Sequence, residues 1–345
     1  MAEHAEFTER IGSEVKRDPR ISIITPHYNT VPYIVETLDA VFAQTYTDYE
    51  MVLINDGSPD SAELMTVLEP YLEKIIFLDK FKNSGTSASR NSAIEYAHGE
   101  LIAFLDADDI WSPTYLQEQI DLFDEGDYDM VYADCALFGA TPHEGRDMTV
   151  LNPPRGPITR SDLIGGKCHI LPTGSLIKKS TLLAAGMFDT AVNRTEDFDL
   201  WMRMIFAGAK IGCQGKALFK FRITPESNSG DAIVRIQRCA DVWRILQKKL
   251  PFTVEENEII EHNVQKEEAA VLRVKGRIAI VDGNWADAKK HFSEALKRAK
   301  FLGLPQKHKL KLSAVLLLLQ IAPKALRRML IKSRPEELSF MPGQM

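Results

Sequence analysis

A chain of 345 residues can hold one large domain and an accessory one, and its 45% hydrophobic content is ordinary for a folded globular protein. Its 42 basic and 48 acidic residues leave a formal charge of −6, so no general electrostatic case exists for a nucleic-acid partner. The four cysteines, Cys135, Cys168, Cys213 and Cys239, show neither a CxxC pair nor zinc-ligand spacing and are expected to be unpaired thiols. Residues 1–19 read as a polar leader without the apolar core of a secretory signal, which predicts a cytoplasmic chain with reduced cysteines.

In chain order, Ile21 to Thr25 reads as a short buried strand, with Pro26, Asn29 and Pro32 marking the turn behind it. A helix from Tyr33 to Gln44 follows, then a strand from Glu50 to Asp56 closing on Gly57-Ser58-Pro59. The pattern repeats through helix Ser61 to Tyr71, strand Ile75 to Leu78, helix Thr86 to Ala97 and strand Leu101 to Asp106. Strands alternating with helices predict an α/β fold with a mostly parallel, Rossmann-like sheet. Ligands of such sheets bind beyond the carboxyl ends of the strands, where Thr25 to Asn29, Asp56 to Ser58 and Asp106 to Asp109 fall.

Beyond residue 125 the regularity loosens. "MVYADCALF" reads as a strand and Thr141 to Thr159 as a loop rich in proline and glycine; "GSLIKKS", a helix from Thr181 to Ala185 and "TEDFDLWMRMIFAG" restore structure. From about Val234 the chain reads as wholly helical, which puts a boundary near 230 and divides the chain into an α/β region, 20–230, and a helical one, 231–345. Within Val271 to Ala299, the spacing of Gly276, Gly283, Trp285, Ala288, Phe292 and Ala295 resembles one tetratricopeptide helix pair, spanning about 265–300. A single repeat cannot bury its own face, so it must pack on Ile233 to Leu250 or on helices after Leu310. The tail from Phe301 to Arg334 has eight Lys/Arg and no acid around a leucine-rich centre. It suits either a helix on an anionic membrane surface or a terminal packing helix with a solvated basic face. The longest apolar stretch, Leu312 to Pro323, is too short to span a bilayer, which needs roughly 20 residues.

The densest chemistry lies in "LIAFLDADDIW", where Asp106, Asp108 and Asp109 end an apolar strand. Two unit charges 4 Å apart repel by about 4 kcal/mol at an effective dielectric near 20, so ionised Asp106 and Asp108 need a cation or donors. One residue apart on extended chain, their side chains point the same way. An all-oxygen site of this kind suits Mg²⁺ or Mn²⁺ and leaves positions for phosphate oxygens. Asp109 or Ser112 is expected to cap the helix that begins near Pro113.

The ordered set "SIITPHYN", "LINDGSPD", "NSGTSASRNSAIEYAHGELIAFLDADD" and "TEDFDLWMR" resembles the catalytic domain of the inverting family 2 glycosyltransferases, which has the GT-A fold. The similarity runs from about Ile21 to Arg222. It implies that Thr25, Tyr28 and Asp56 line the nucleotide base, Asp56 accepting the N3–H of uracil. A carboxylate suits that donor, because a charge-assisted bond is about twice as strong as a neutral one. It also implies that Arg90 lies by the nucleotide, opposing the diphosphate or fixing the Asp cluster, and that Asn83 and Gly85 shape the loop before it. Asp108 is the implied metal ligand and Asp106 the ribose or metal contact.

Direct inversion at an anomeric carbon needs a base for the acceptor hydroxyl. Glu196, Asp197 and Asp199 precede an apolar-periodic helix, where acids also suit the positive end of the dipole. The resemblance makes Asp197 the base, with Glu196 second and Trp201 and Arg203 in supporting or packing roles. Many relatives carry a His after this helix in a YR-x-H pattern; here Thr224 stands where it would fall, and His169 is another polar group on the acceptor side. The expected activity is metal-dependent, inverting transfer from a nucleotide sugar, UDP-linked in the leading reading, to a glycan or lipid-linked acceptor in cell-surface polysaccharide synthesis. A GDP- or dTDP-sugar used on polyprenyl phosphate or protein is the alternative; a catalytically silent scaffold acting through its helices is the least favoured. Expected partners are the sugar donor and the acceptor, with the helical region contacting the inner face of the cytoplasmic membrane or a helical partner.

Overall fold

The computed structural model describes residues 6–139, 155–192, 195–224 and 232–332. Most of the expected loop after Thr141, the residues following Thr224 and the end of the basic tail lie outside them. The chain divides into two compact units, Met1–Ile223 and Thr224–Met345.

The first unit is built on one sheet. Its elements begin with β1 (Phe7–Ile11), β2 (Ile21–His27), α1 (Val31–Phe42), β3 (Tyr49–Asn55), α2 (Ser61–Leu68), β4 (Ile76–Lys80), α3 (Thr86–Tyr96) and β5 (Leu101–Phe104). They continue through β6 (Ile110–Trp111), α4 (Tyr115–Gly126), β7 (Met130–Gly139), β8 (Gly156–Pro157) and α5 (Arg160–Ile164). A 3₁₀ turn (Pro172–Gly174) then leads into β9 (Ser175–Lys178), α6 (Lys179–Ala184), α7 (Glu196–Phe206) and β10 (Ile211–Ile223). The strand order is β1-β4-β3-β2-β5-β9-β7-β10-β6, with β8 pairing on β10.

Strands β4, β3, β2 and β5 run parallel. They are short apolar runs; Ile21, Ile23, Ile24 and every residue of β5 are buried, as expected for a sheet covered on both faces. Helix α1 covers one face with Val31, Ile34, Leu38 and Val41, spaced as one helical stripe, and takes Pro32 in its first turn, where a missing N–H costs nothing. Strand β9 then runs antiparallel to both β5 and β7. Its start therefore meets the ends of β2, β3 and β5 at one edge, which brings the Pro172–Gly174 turn beside Asp106.

The stretch expected as a polar leader contains β1, which pairs antiparallel with β4 from Phe7↔Lys80 to Ile11↔Ile76. It is an edge strand with four of five residues exposed, and its charged composition carries no hydrophobic signature.

The second unit is helical: α8 (Ala232–Lys249), α9 (Val254–Asp282), α10 (Trp285–Phe301), α11 (Gln306–Ile321) and α12 (Pro323–Lys332). Helix α9 packs on both α8 and α10, and α10 on α11, so the α9–α10 pair is covered on both sides. Thr253 and Glu256 form a capping box at the start of α9. Gly283, at φ +78°, ends that helix in the left-handed conformation, and the Asn284 side chain caps α10 by accepting from the Asp287 N–H. Ala288, Phe292, Ala295 and Ala299 form the buried stripe of α10. No helix among the described residues is long and apolar enough to cross a membrane.

At Gly276 α9 and α10 approach closely: a Cβ there would lie 2.7 Å from the Phe292 ring. Gly276→Val should therefore destabilise by about 1–3 kcal/mol through overpacking. Thermal unfolding followed by circular dichroism should show a lower Tm for this variant, and an unchanged Tm would contradict the close approach.

Candidate active site

The β5–α4 loop is fixed from three directions. Thr37 Oγ1 on α1 donates to the carbonyls of Ala107 (3.0 Å) and Asp109 (2.9 Å). Thr173, in the 3₁₀ turn, accepts from the Asp106 N–H at 3.1 Å and donates to Asp109 Oδ2 at 2.7 Å. From β10, the Arg222 N–H donates to Asp109 Oδ1 at 2.8 Å and its Nε to the Asp108 carbonyl at 2.7 Å. Asp109 is thus wholly buried, and burial followed by the charges of Asp108 and Asp106 pushes its carboxyl well above the usual range. The cap expected at Asp109 or Ser112 lies instead at Thr114, because β6 intervenes and draws Asp109 inward.

Asp106 and Asp108 meet different surroundings. Asp106 Oδ1 accepts from Arg90 Nη2 at 2.6 Å, while Arg90 Nη1 donates to Glu196 Oε1 at 3.2 Å. The Arg90 guanidinium is buried, 5.3 Å from the Phe188 ring centre and 6.0 Å from that of Phe104. Burial pulls its pKa down, but Asp106 and then Glu196 outweigh that and hold it above the ordinary value. Asp108 is half-buried, and burial with the Asp106 charge lifts its carboxyl to about 6. A desolvated carboxyl beside another, both oxygen donors, fits a hard divalent cation. No three His, Cys, Asp or Glu side chains converge as a metal cage among the described residues, so nucleotide or water oxygens would complete the shell.

Glu196 and Asp197 open α7. Asp197 Oδ1 accepts the Phe198 N–H at 2.7 Å, and burial together with the Glu196 charge lifts its carboxyl to about 7. The third acid, Asp199, is buried against Arg203 at 2.7 Å. Arg203 also donates to the carbonyls of Ala185 and Met187, and Trp201 Nε1 to that of Ile170, so both residues tie α7 down.

At the neighbouring strand ends, Asp56 is buried and accepts from Ser84 N, Ser84 Oγ and Gly85 N at 2.8–2.9 Å. Gly57, at φ +59°, lets the turn close to 2.5 Å, in Cβ terms, from the Lys82 backbone. Thr25 is wholly buried with its Oγ1 unpartnered, whereas Tyr28 is 50% exposed. Buried His27 joins the loops: Nε2 is 3.1 Å from Asp60 Oδ1 and Nδ1 is 2.8 Å from Thr30 Oγ1. Burial lowers its pKa more than Asp60 raises it.

Asp106, Arg90 and Glu196 are thus joined directly, with Asp108 and Asp197 adjoining. Thr224 is buried, and the residues after it lie outside the described ones; His169 is exposed. Thr37, Thr173 and Arg222 were missed as site-building residues. The proline before Thr173 and the basic residue ending an apolar strand at Arg222 are the only local signals for them.

Residues 22–182 match the family model described as Glycosyl transferase family 2. The uncharacterized glycosyltransferase RP339 of Rickettsia prowazekii (strain Madrid E) is 30% identical over 273 residues, covering 75% of this chain and 82% of that protein. A Bacillus subtilis (strain 168) relative, TuaG, whose name points to teichuronic acid biosynthesis, is 36% identical over 108 residues, covering 31% of this chain and 43% of its own. Among solved structures, TarS 1–349 of S. aureus in complex with UDP-GlcNAc superposes with a TM-score of 0.59 at 17% identity, covering 92% of this chain and 88% of that one. The mannosyltransferase PcManGT of Pyrobaculum calidifontis, in complex with GDP-Man and Mn²⁺, gives 0.57 at 16% identity, covering 93% and 86%. The fold is GT-A, and the chain belongs to glycosyltransferase family 2.

Proposed function

We propose that the chain is a metal-dependent, inverting enzyme that moves a hexosyl or N-acetylhexosaminyl group from a UDP-sugar to a hydroxyl of a glycan or lipid-linked acceptor. The observation that carries this reading is the buried Arg90 bridge, which links Asp106 to Glu196, beside an Asp197 lifted to about 7. Asp197 takes the proton of the acceptor hydroxyl as its oxygen bonds to the anomeric carbon. The bond from that carbon to the diphosphate breaks, the nucleoside diphosphate leaves, and a single displacement inverts the centre. A base near the working pH combines ionisation with useful proton affinity.

Glu196, held by Arg90, fixes the start of α7 and so the position of Asp197. Thr25, Tyr28 and Asp56 line the base pocket; the unpartnered Thr25 Oγ1 and the remaining lone pair of Asp56 Oδ2 supply its polar contacts. Arg90 and Asp106 face the ribose and diphosphate. A Mg²⁺ or Mn²⁺ held by Asp108, with Asp106, would neutralise the departing diphosphate as a Lewis acid. UDP-GlcNAc in TarS supports a UDP-sugar, Mn²⁺ in PcManGT supports the cation, and the name of TuaG supports a cell-surface polysaccharide. The reaction is placed in the cytoplasm, at the inner face of the membrane where a lipid-linked acceptor would be presented. GDP-mannose in PcManGT favours a GDP-sugar as the second reading.

Asp197→Asn should lower kcat by about 10²–10⁴ while leaving the Kd for UDP within threefold. In the parent enzyme log kcat should rise with pH and level off above about 7, because Asp197 accepts a proton only when ionised. Full activity in the variant, or a flat profile from pH 5 to 8, would remove Asp197 from the role. Asp108→Asn should abolish the Mn²⁺-dependent part of UDP binding in calorimetry; an unchanged Mn²⁺ effect would exclude Asp108 as a ligand. Titrating UDP, GDP and dTDP in the presence of Mn²⁺ should give the tightest binding for UDP, and tighter binding of GDP would select the second reading.

A further inference from the structure

We propose that the exposed face of α11 docks on an anionic lipid bilayer. At 100° per residue, Leu310, Ala314, Leu317 and Ile321 share one arc of α11, about 60° wide, which Lys307 and Lys311 extend on one side to about 120°. Leu312 and Leu319, on the opposite side, are buried in the helical core. The outer arc is not: Leu310 is 59% exposed, Leu317 56% and Ile321 68%. Apolar and cationic residues therefore share one side of α11, and the sequence from Phe301 to Arg334 contains no acid to balance it.

A solvated helix surface normally mixes charges of both signs at i,i+4 spacing. Here, cations instead accumulate. His308, next to Lys307, has a buried Nδ1 without a hydrogen-bond partner. Its pKa is lowered by burial and then by Lys307, Arg273, Lys311 and Lys266, which shows that α9 and α11 bring like charges together. Exposed leucine and isoleucine that insert at the acyl boundary, with lysines that meet anionic headgroups, describe an interfacial helix. This deepens the membrane location given above and rests on it for its biological setting, but the contact can be measured without glycosyl transfer.

The full chain should be floated with phosphatidylcholine vesicles and with vesicles holding about 30% phosphatidylglycerol. Binding should appear only with the anionic vesicles and weaken as salt is added. Lys307→Glu with Lys311→Glu should weaken it about 25-fold or more, taking about fivefold per lost cation. Leu317→Ser with Ile321→Ser should weaken it by about tenfold or more. All four side chains are exposed, and circular dichroism should show both variants folded. Equal binding to both vesicle types, no binding to either, or unchanged binding by either variant would overturn the proposal. So would a parent dimer in light scattering that the Leu317→Ser, Ile321→Ser variant loses, because the face would then belong to a second copy. UDP release from UDP-GlcNAc with Mn²⁺ separates the two readings: release without vesicle binding overturns docking alone, and vesicle binding without release leaves docking intact.

Discussion

The site depends on one buried cation. Arg90 reaches the sheet edge from α3 and is shared by Asp106, on the loop after β5, and Glu196, at the start of α7. These two acids are 90 residues apart in sequence, and the guanidinium is what permits them to approach. Removing one partner of a buried ion pair typically costs about 3–5 kcal/mol, because the remaining charge is left without water or counterion. The cluster is therefore coupled: a change at Arg90 leaves two carboxylates facing each other, and a change at either acid leaves Arg90 under-neutralised against the faces of Phe104 and Phe188.

A second constraint is neutral in character and equally local. Asp109 is the third carboxylate of the loop, yet its two oxygens are taken up by Thr173 and the Arg222 backbone. Thr173 also receives the Asp106 N–H, and Arg222 holds the Asp108 carbonyl, so three chain segments set the backbone on which Asp106 and Asp108 stand. Arg222 is anchored in turn by Glu36 at 2.6 Å and by the rings of Tyr33 and Phe138. A loop carrying like charges stays ordered because its backbone bonds and the buried Asp109 carboxylate carry the positioning.

Much of the fold was legible because alternation is legible. The strands from Ile21 to Asp106 are apolar runs punctuated by turn residues, and the helices between them carry a single buried stripe. What escaped was set by pairing rather than composition. Strand β1 is polar because it is an edge, and the antiparallel entry of β9 is a fact of topology that its four residues do not encode. In the site, the acids could be read from spacing, but their roles could not. Asp109 and Asp108 are adjacent and identical, and the positions of Thr173 and the Arg222 N–H decide which one is buried. The same holds for Asp199, whose capture by Arg203 one turn later is a common helix pairing that the run Glu-Asp-Phe-Asp does not announce.

These carboxylates show how one side-chain type takes several states at one sheet edge. Asp106 is held by a cation, Asp108 is lifted to about 6 by burial and by Asp106, and wholly buried Asp109 is lifted well above the usual range by burial and by the charges of Asp108 and Asp106. Asp197 reaches about 7 through burial and Glu196, while Arg90 pulls it back. Arg90 thus acts in two directions: it neutralises Glu196, weakening the repulsion that would drive Asp197 higher, and it attracts the Asp197 anion directly. Without that restraint the Asp197 carboxyl would rise further, leaving less of it ionised to accept a proton. The guanidinium that assembles the site therefore also tunes the group proposed as its base.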